Sequence, residues 1–231
     1  MHNNLLSPSS SPVPLGPAFL PPQPAAPTLV FVVDADEAAR ASLAALVDNS
    51  GWRAECFPSA QQFLSRVPHA GPSCLVLDVS PPHPGGMSLQ RRIVAERTEM
   101  PVIATTGQAN VPVAVQAMKA GAMDFLAKPI CGSSLLRSIE EALARSRAAI
   151  AQAVDLRGIR ARYEALTERE REVMSLVVRG LLNKQVGAEL GITEVTVKAH
   201  RGSAMRKMGA RTLPDLVTWD AKREERVILA A

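Results

Sequence analysis

Between residues 29 and 130, short unbroken runs of apolar residues alternate with segments of helical spacing, and this alternation constrains the fold more than any other feature. Three of the runs are LVFVV from Leu29, CLVLD from Cys74 and PVIATT from Pro101. Strands that are apolar on both faces are typical of a parallel sheet between two layers of helices. With RAECF and MDFLA as further strands, the pattern predicts a doubly wound α/β domain with a five-stranded parallel sheet.

The rest of the chain divides into a tail, a linker and a helical domain. Residues 1–28 contain eight prolines, and such a segment buries too little apolar surface to fold, so we expect a disordered tail. The α/β domain is assigned to residues 29–144. An Ala-, Arg- and Glu-rich segment at 145–161 is assigned to a helical linker, and residues 162–227 to a small all-α domain.

A helix-turn-helix motif is predicted within the all-α domain. The segment NKQVGAELG indicates a short helix with Asn183 as its N-cap and Gly191 as its end. A longer helix, TEVTVKAHRGSAMRKM, starts at Thr193, so a short turn joins the two helices. Between Asn183 and Arg211 there are six Lys or Arg against two Asp or Glu. This local positive charge favours an anionic partner.

Composition excludes several classes of protein. The three cysteines lie far apart without metal-ligand spacing, which indicates reduced thiols. No apolar run approaches the ~18 residues of a membrane helix, and the N-terminus lacks the pattern of a signal peptide, so we expect a cytoplasmic protein with no membrane contact. Neither a Walker lysine loop nor G-x-G-x-x-G occurs, so a small α/β enzyme with a helical appendage has little support, and we expect no enzymatic activity.

Chemically active side chains follow four of the five predicted strands. In an open parallel sheet such groups gather at the carboxyl edge. Carboxylates, a hydroxyl and an ammonium group at that edge suit a hard cation and a phosphoryl group, and a carboxylate can itself accept the phosphoryl group. The residues are Asp34 with Asp36 nearby, Asp78, Thr105–Thr106 and Lys128.

Residues 29–144 resemble a response-regulator receiver domain, which has a flavodoxin-like fold, and they are most similar to the FixJ/NarL class. The resemblance implies that Asp78 in CLVLD is the phosphoacceptor. It places Thr106 in ATTG at the switch hydroxyl, and it places Lys128 in DFLAKP at the lysine that stabilises the phosphoryl group. Phe125 stands at the aromatic switch position. The Lys128–Pro129 bond is cis in this family.

The resemblance also implies a Mg²⁺ cofactor, with one departure from the usual ligands. Receiver domains have two adjacent acidic residues after the first strand, and Ala35 stands where the second would ligate the metal. We expect a weakened Mg²⁺ site, unless the loop re-aims Asp36 toward the metal. Pro81 is a further departure, because it biases the preceding residue toward extended geometry. The ligands implied are Asp34, Asp78, the backbone carbonyl of Ser80 and, as a substitute, Asp36.

The helix that begins at Thr193 has one apolar face and one face of small and basic residues. At about 100° per residue, the first face carries Val197, Ala204, Met205 and Met208. The second carries Val195, Lys198, Ala199, Gly202, Ser203 and Arg206, which suits insertion into a major groove. Thr196, His200 and Lys207 lie on one flank, suited to backbone contacts.

Residues 162–227 resemble a LuxR-type helix-turn-helix domain. The resemblance implies that Lys198, Ala199 and Gly202 face the bases and that the protein binds paired half-sites as a dimer. Gly202 departs from the family, where a longer side chain often stands, and this leaves specificity weaker or based on DNA shape. The residues predicted to contact DNA are Asn183, Lys184, Thr196, Lys198, Ala199, His200, Arg201, Gly202, Arg206 and Lys207.

The leading hypothesis is a transcriptional regulator of a two-component system. A sensor histidine kinase would phosphorylate Asp78, and the switch residues would then release or dimerise the DNA-binding domain on promoter DNA. A homodimer is expected in the active state, and RNA polymerase is a further candidate partner. The alternative is a phosphorylation-independent transcription factor whose pseudo-receiver, with Ala35 in the acidic pair, serves only for dimerisation or partner binding.

Overall fold

The α/β part of the chain forms the predicted five-stranded parallel sheet. The computed structural model describes residues 26–80, 86–108 and 111–229, with side chains up to residue 223. The strand order is β2-β1-β3-β4-β5, so the order reverses beside β1 and the carboxyl ends of all strands meet at one edge. The strands are β1 (Leu29–Val33), β2 (Arg53–Phe57), β3 (Ser73–Asp78), β4 (Val102–Thr106) and β5 (Asp124–Ala127).

Two apolar cores cover the two faces of this sheet. Side chains alternate along each strand, so Phe31 packs on one face while Val30 and Val32 pack on the other. The first face is covered by α2 (Ala60–Ser65), α3 (Gly86–Glu96) and α4 (Val111–Lys119). The second face is covered by α1 (Glu37–Asn49) and the first half of α5 (Gly132–Glu164). Covering on both faces explains why the strands are unbroken apolar runs.

Helix α5 belongs to both parts of the molecule. It continues without a break for 33 residues, and its start packs on the sheet through Leu135 and Ile139. Near its end, Ile159 is buried in the core of the C-terminal domain. Arg162 donates a hydrogen bond to the Met208 carbonyl at 3.3 Å. The segment assigned to a linker is therefore part of this helix, and the last turns of α5 pack into the core of the second domain.

The C-terminal domain contains four helices packed on the end of α5. They are α6 (Glu168–Val178), α7 (Asn183–Leu190), α8 (Glu194–Met208) and α9 (Leu213–Leu229). Gly191 ends α7 with a left-handed φ of 67°, as the sequence predicts. Gly187 allows the close approach of α7 to the turn, since a Cβ there would lie 2.7 Å from the Ile192 carbonyl oxygen.

The start of α7 differs from the prediction. Asn183 is the first residue of the helix and not its N-cap, a position that Leu182 occupies. The Leu182 N–H donates to Gln185 Oε1 at 2.8 Å, so the helix end is satisfied from within its first turn. The Asn183 side chain is then available to accept a hydrogen bond from Arg201 on α8.

Other predictions concern the thiols, the membrane and the tail. All three cysteines are free, with Cys74 buried and Cys56 and Cys131 exposed. Across the described parts of the chain, no helix combines the length and apolar character needed to span a membrane. Residues 1–25 of the predicted tail, and Pro81, lie outside the described residues.

Candidate functional site

Lys128 joins two carboxylates at the carboxyl edge of the sheet. Its ammonium group lies 2.6 Å from Asp34 Oδ2 and 3.0 Å from Asp78 Oδ2. Asp34 follows β1 and is buried, Asp78 ends β3 and Lys128 follows β5, so the sheet brings together residues that are far apart in sequence. The Lys128–Pro129 peptide bond is cis. Both carboxylates raise the pKa of Lys128 by hydrogen bonding, against the lowering effect of burial, so the ammonium stays charged.

The second oxygen of Asp78 is held by Ser80. Asp78 Oδ1 accepts from the Ser80 hydroxyl at 2.5 Å and from the Ser80 N–H at 2.9 Å. Burial raises the pKa of Asp78, but the bonds from Ser80 and Lys128 outweigh this effect and leave the pKa below its ordinary value. Asp78 is therefore an anion at neutral pH, which is the form a phosphoacceptor requires.

The end of β4 closes the other side of this site. Thr106 is fully buried, and its hydroxyl lies 3.2 Å from Ser80 Oγ. The Gly107 N–H donates to the same Ser80 oxygen at 2.9 Å. The Thr105 hydroxyl is also buried, and it has no hydrogen-bond partner among the described residues. Phe125 on β5 is partly buried and packs against the core on the α3–α4 side of the sheet.

The acidic loop after β1 is organised differently from the prediction for Asp36. The Asp36 carboxylate is the N-cap of α1 and accepts from the N–H groups of Ala38 and Ala39 at 2.8 and 3.2 Å. It is exposed and does not join Asp34 and Asp78. Successive side chains along the loop point in different directions, so the carboxylate that caps the helix is not aimed at the site.

The residues present fit a Mg²⁺ site with few protein ligands. Among the described residues, no cluster of three or more His, Cys, Asp or Glu is placed to hold a metal ion. Mg²⁺ is nevertheless commonly held by one or two carboxylates together with water and phosphate oxygens. Asp34 and Asp78 supply two carboxylates, and they line a cavity of about 640 Å³ that Ala35 also lines. Ala35, which stands at the position of the second acidic residue, therefore borders the same open cavity as the two carboxylates.

Ser80 has a role that the sequence did not suggest. The sequence pattern pointed only to its backbone carbonyl as a metal ligand, whereas the structure places its hydroxyl among Asp78, Thr106 and Gly107. The available signal was a hydroxyl-bearing residue two positions after Asp78. Its partners at and just after the end of β4 are 26 and 27 residues away, so they were not visible in a local pattern.

The predicted DNA-facing side of α8 is exposed in the described part of the chain. Lys198, Ala199 and Arg206 are exposed, and Val195 retains 78% of its accessible surface. Gly202 lies on the same side, and a Cβ built there would meet nothing within 4 Å. The opposite face carries Val197, Ala204 and Met208, which are buried as predicted. The helix thus presents a surface of small and basic groups with room for a partner.

Several residues predicted to contact DNA have partners within the domain. Arg201 donates to Asn183 Oδ1 at 3.1 Å, which links α8 to α7. Lys207 lies 2.7 Å from the buried carboxylate of Glu170 on α6. The ammonium group of Lys207 thus joins α8 to α6 in the structure, and its predicted contact with DNA stays a prediction.

The remaining predicted DNA residues flank the exposed surface. Thr196 shares a hydrogen bond of 2.8 Å with the hydroxyl of Thr193, the N-cap of α8. Lys184, at the start of α7, is exposed, and His200 is half-buried. Lys184 and Lys198 are therefore exposed cations on the two helices of the motif.

Comparison with known proteins agrees with both halves of this geometry. Residues 30–140 match the family described as response regulator receiver domain, and residues 164–219 match the bacterial regulatory proteins of the luxR family. The chain is 41% identical to the transcriptional regulatory protein FixJ of Rhizobium meliloti over 188 residues. The aligned region covers 81% of this chain and 92% of FixJ.

Two further relatives show the same organisation. The chain is 39% identical to the response regulator protein TmoT of Ectopseudomonas mendocina over 190 residues, 82% of this chain and 86% of TmoT. The solved structure of the response regulator StyR is similar with a TM-score of 0.75 and 38% identity, covering 85% of this chain and all of StyR. With a receiver sheet, a helix-turn-helix domain and relatives that match along both, the chain belongs to the FixJ-type response regulators, which are transcriptional regulators with a LuxR-type DNA-binding domain.

Proposed function

We propose that Asp78 is the phosphoacceptor of this regulator and that a sensor histidine kinase supplies the phosphoryl group. The observation that supports this is the ion triad, in which Lys128 bridges Asp34 and Asp78 at 2.6 and 3.0 Å. An oxygen of Asp78 forms the new bond to phosphorus as the bond from phosphorus to the donor breaks. Lys128 neutralises charge on the transferring group, and Thr106 offers it a hydroxyl.

Mg²⁺ would be held by the carboxylates of Asp34 and Asp78, with the carbonyl of Ser80 as a further ligand. When bound, the ion offsets negative charge on the phosphoryl group. Because Ala35 supplies no third carboxylate, we expect weaker Mg²⁺ binding than in receivers with two adjacent acidic residues.

Phosphorylation is tested by incubating the full chain with Mg²⁺ and acetyl phosphate and separating the products by Phos-tag electrophoresis or mass. The wild type is expected to gain one phosphoryl group, and Asp78→Asn none. The absence of any Asp78-dependent shift at millimolar Mg²⁺ would refute the proposal. In that case the pseudo-receiver, acting only in dimerisation or partner binding, would be the better account.

DNA binding is assigned to the exposed side of α8, with Lys198, Ala199 and Gly202 toward the bases and Lys184 and Arg206 toward phosphates. Lys198→Ala is expected to weaken binding to a duplex selected from random DNA by about 1–3 kcal/mol. Fluorescence anisotropy measures the change. The matched variant is Glu194→Gln on the first turn of the same helix, which removes an exposed negative charge and is not expected to weaken binding.

A further inference from the structure

The hydroxyl group of Ser80 lies at the centre of the proposed phosphorylation site. It contacts three groups: Asp78 Oδ1 at 2.5 Å, the Gly107 N–H at 2.9 Å and Thr106 Oγ1 at 3.2 Å. Asp78 ends β3, whereas Thr106 and Gly107 end and follow β4. One side chain thus connects the phosphoacceptor with the neighbouring strand.

The ionised state of Asp78 fixes which groups donate and which accept in this hydrogen-bond network. The Asp78 carboxylate is ionised and can only accept, so the single proton of the Ser80 hydroxyl goes to Asp78. Ser80 Oγ then serves as the acceptor for the Gly107 N–H and for the Thr106 hydroxyl. Thr106 Oγ1 in turn accepts the Gln108 N–H at 3.1 Å. From donor to acceptor, the series of hydrogen bonds therefore runs from the end of β4 toward Asp78.

The contact with Ser80 gives the buried Thr106 hydroxyl an acceptor for its proton. Thr106 is fully buried, and a buried hydroxyl without an acceptor is destabilising. We propose that Ser80 is a positioning residue: before a phosphoryl group arrives, its hydroxyl engages the Thr106 hydroxyl and the Gly107 N–H, the two donors that the phosphoryl oxygens need. This inference rests on the proposed function, and it adds a group that controls how readily Asp78 reacts.

The same contacts must change when Asp78 is modified. A phosphoryl group on Asp78 brings three strong acceptor oxygens into the space next to Thr106 and Gly107. These oxygens take over the two donors, and the Ser80 hydroxyl has to leave them. It also loses or redirects its own bond to Asp78 Oδ1. Releasing hydrogen bonds of ordinary net strength slows the reaction by roughly 2- to 10-fold.

The test compares Ser80→Ala with Ser80→Thr in the full chain. Both variants keep the main-chain N–H that bonds to Asp78, and only the threonine keeps a hydroxyl. In the unphosphorylated protein, the ¹H–¹⁵N resonance of Gly107 is expected to move upfield in Ser80→Ala and to stay near its wild-type position in Ser80→Thr. With Mg²⁺ and acetyl phosphate, Asp78 is expected to react about 2- to 10-fold faster in Ser80→Ala, and at the wild-type rate in Ser80→Thr.

Two results would overturn the inference. One is a Gly107 resonance that does not move in Ser80→Ala, which would mean that no hydroxyl occupies this position. The other is a reaction rate in the alanine variant that is equal to, or lower than, the rate in the threonine variant. If the wild type and both variants all fail to take up phosphate, the proposed function fails, while the Gly107 resonance still decides whether Ser80 positions the end of β4.

Discussion

At Ala35 the site has a methyl group where receivers usually carry a carboxylate, and the surrounding loop is held by other means. Arg40 on α1 donates to the carbonyl oxygens of Asp34 and Ala35 at 2.7 and 2.9 Å. The Asp34 carboxylate itself accepts the Asp36 N–H at 3.0 Å. The loop is therefore ordered by hydrogen bonds that do not involve the side chain of Ala35, so a substitution there changes the site with little effect on the fold.

Ala35→Asp is expected to increase Mg²⁺ affinity by roughly tenfold, because it adds a third carboxylate beside Asp34 and Asp78. Isothermal titration of the purified protein with MgCl₂ measures the dissociation constant. Ala35→Asn is the matched control, since it adds a side chain of similar size without charge and is expected to have a smaller effect. An unchanged dissociation constant in Ala35→Asp would contradict the expected increase in Mg²⁺ affinity. It would indicate that the new carboxylate forms an ion pair with Arg40.

At the level of elements, an ion pair between the exposed Lys207 and a buried carboxylate joins α6 to α8. Glu170 is buried, and it accepts from Lys207 at 2.7 Å and from the Thr167 N–H at 2.8 Å. Hydrogen bonds from Lys207, Ser203 and Thr167 lower the pKa of Glu170 to about 2. Folding therefore favours the carboxylate form, so this contribution to stability is complete above the ordinary pKa of glutamate and is lost as the pH falls from about 4.5 toward 2.

Glu170→Gln is expected to lower the free energy of unfolding of the C-terminal domain by about 1–2 kcal/mol at pH 7, because it leaves Lys207 without its partner. Urea denaturation at pH 7, 5 and 3 measures the effect. The difference from wild type should be similar at pH 7 and 5 and smaller at pH 3. Glu168→Gln, an exposed position on the same turn, serves as the control. If the difference in the free energy of unfolding grew as the pH fell, the expected direction of the pH dependence would be wrong.

Two glycines in the helix-turn-helix motif are expected to respond in opposite ways to substitution by alanine. Gly202→Ala is expected to stabilise the domain by about 0.5–1 kcal/mol, because glycine is costly inside a helix and a Cβ there meets nothing within 4 Å. Gly187→Ala is expected to destabilise it by about 1–3 kcal/mol, since its Cβ would lie 2.7 Å from the Ile192 carbonyl oxygen. Thermal unfolding measures both, and a lower Tm for Gly202→Ala would contradict the first expectation.

At the scale of the whole molecule, the side of α8 that we propose faces DNA is exposed beside the described part of the receiver domain. Val195, Lys198 and Ala199 are not covered by any of the described residues. Of the two ways in which a receiver controls such a domain, release of a covered surface and dimerisation, this arrangement favours dimerisation. Two linked domains gain affinity for paired sites through a high effective concentration, without any new contact to DNA.

Phosphorylation is accordingly expected to leave binding to a duplex with one half-site unchanged and to strengthen binding to two half-sites by at least tenfold. Anisotropy titrations with and without acetyl phosphate, on duplexes selected from random DNA, measure both constants. Asp78→Asn should show no gain on either duplex. A phosphorylation-dependent gain on the single half-site would indicate that a covered surface is released instead.

The amino-acid sequence alone determined the class of fold and the chemistry of the site. Unbroken apolar runs require a sheet covered on both faces, and the residues that end the strands, including Asp78 and Lys128, gather at one edge because parallel strands share their direction. The buried face of α8 also follows from its period alone. Each of these features is read from a short local pattern: an apolar run, the residue that ends it, or a helical period.

Only the tertiary structure decided which side chains pair with one another. It assigned Asp36 to the cap of α1, the Ser80 hydroxyl to a place between Asp78 and Thr106, and Lys207 to Glu170, 37 residues away. It also placed the end of α5 in the second core. A charged or hydroxyl group has several potential partners in sequence, and the choice among them is made by distance and burial once the chain has folded.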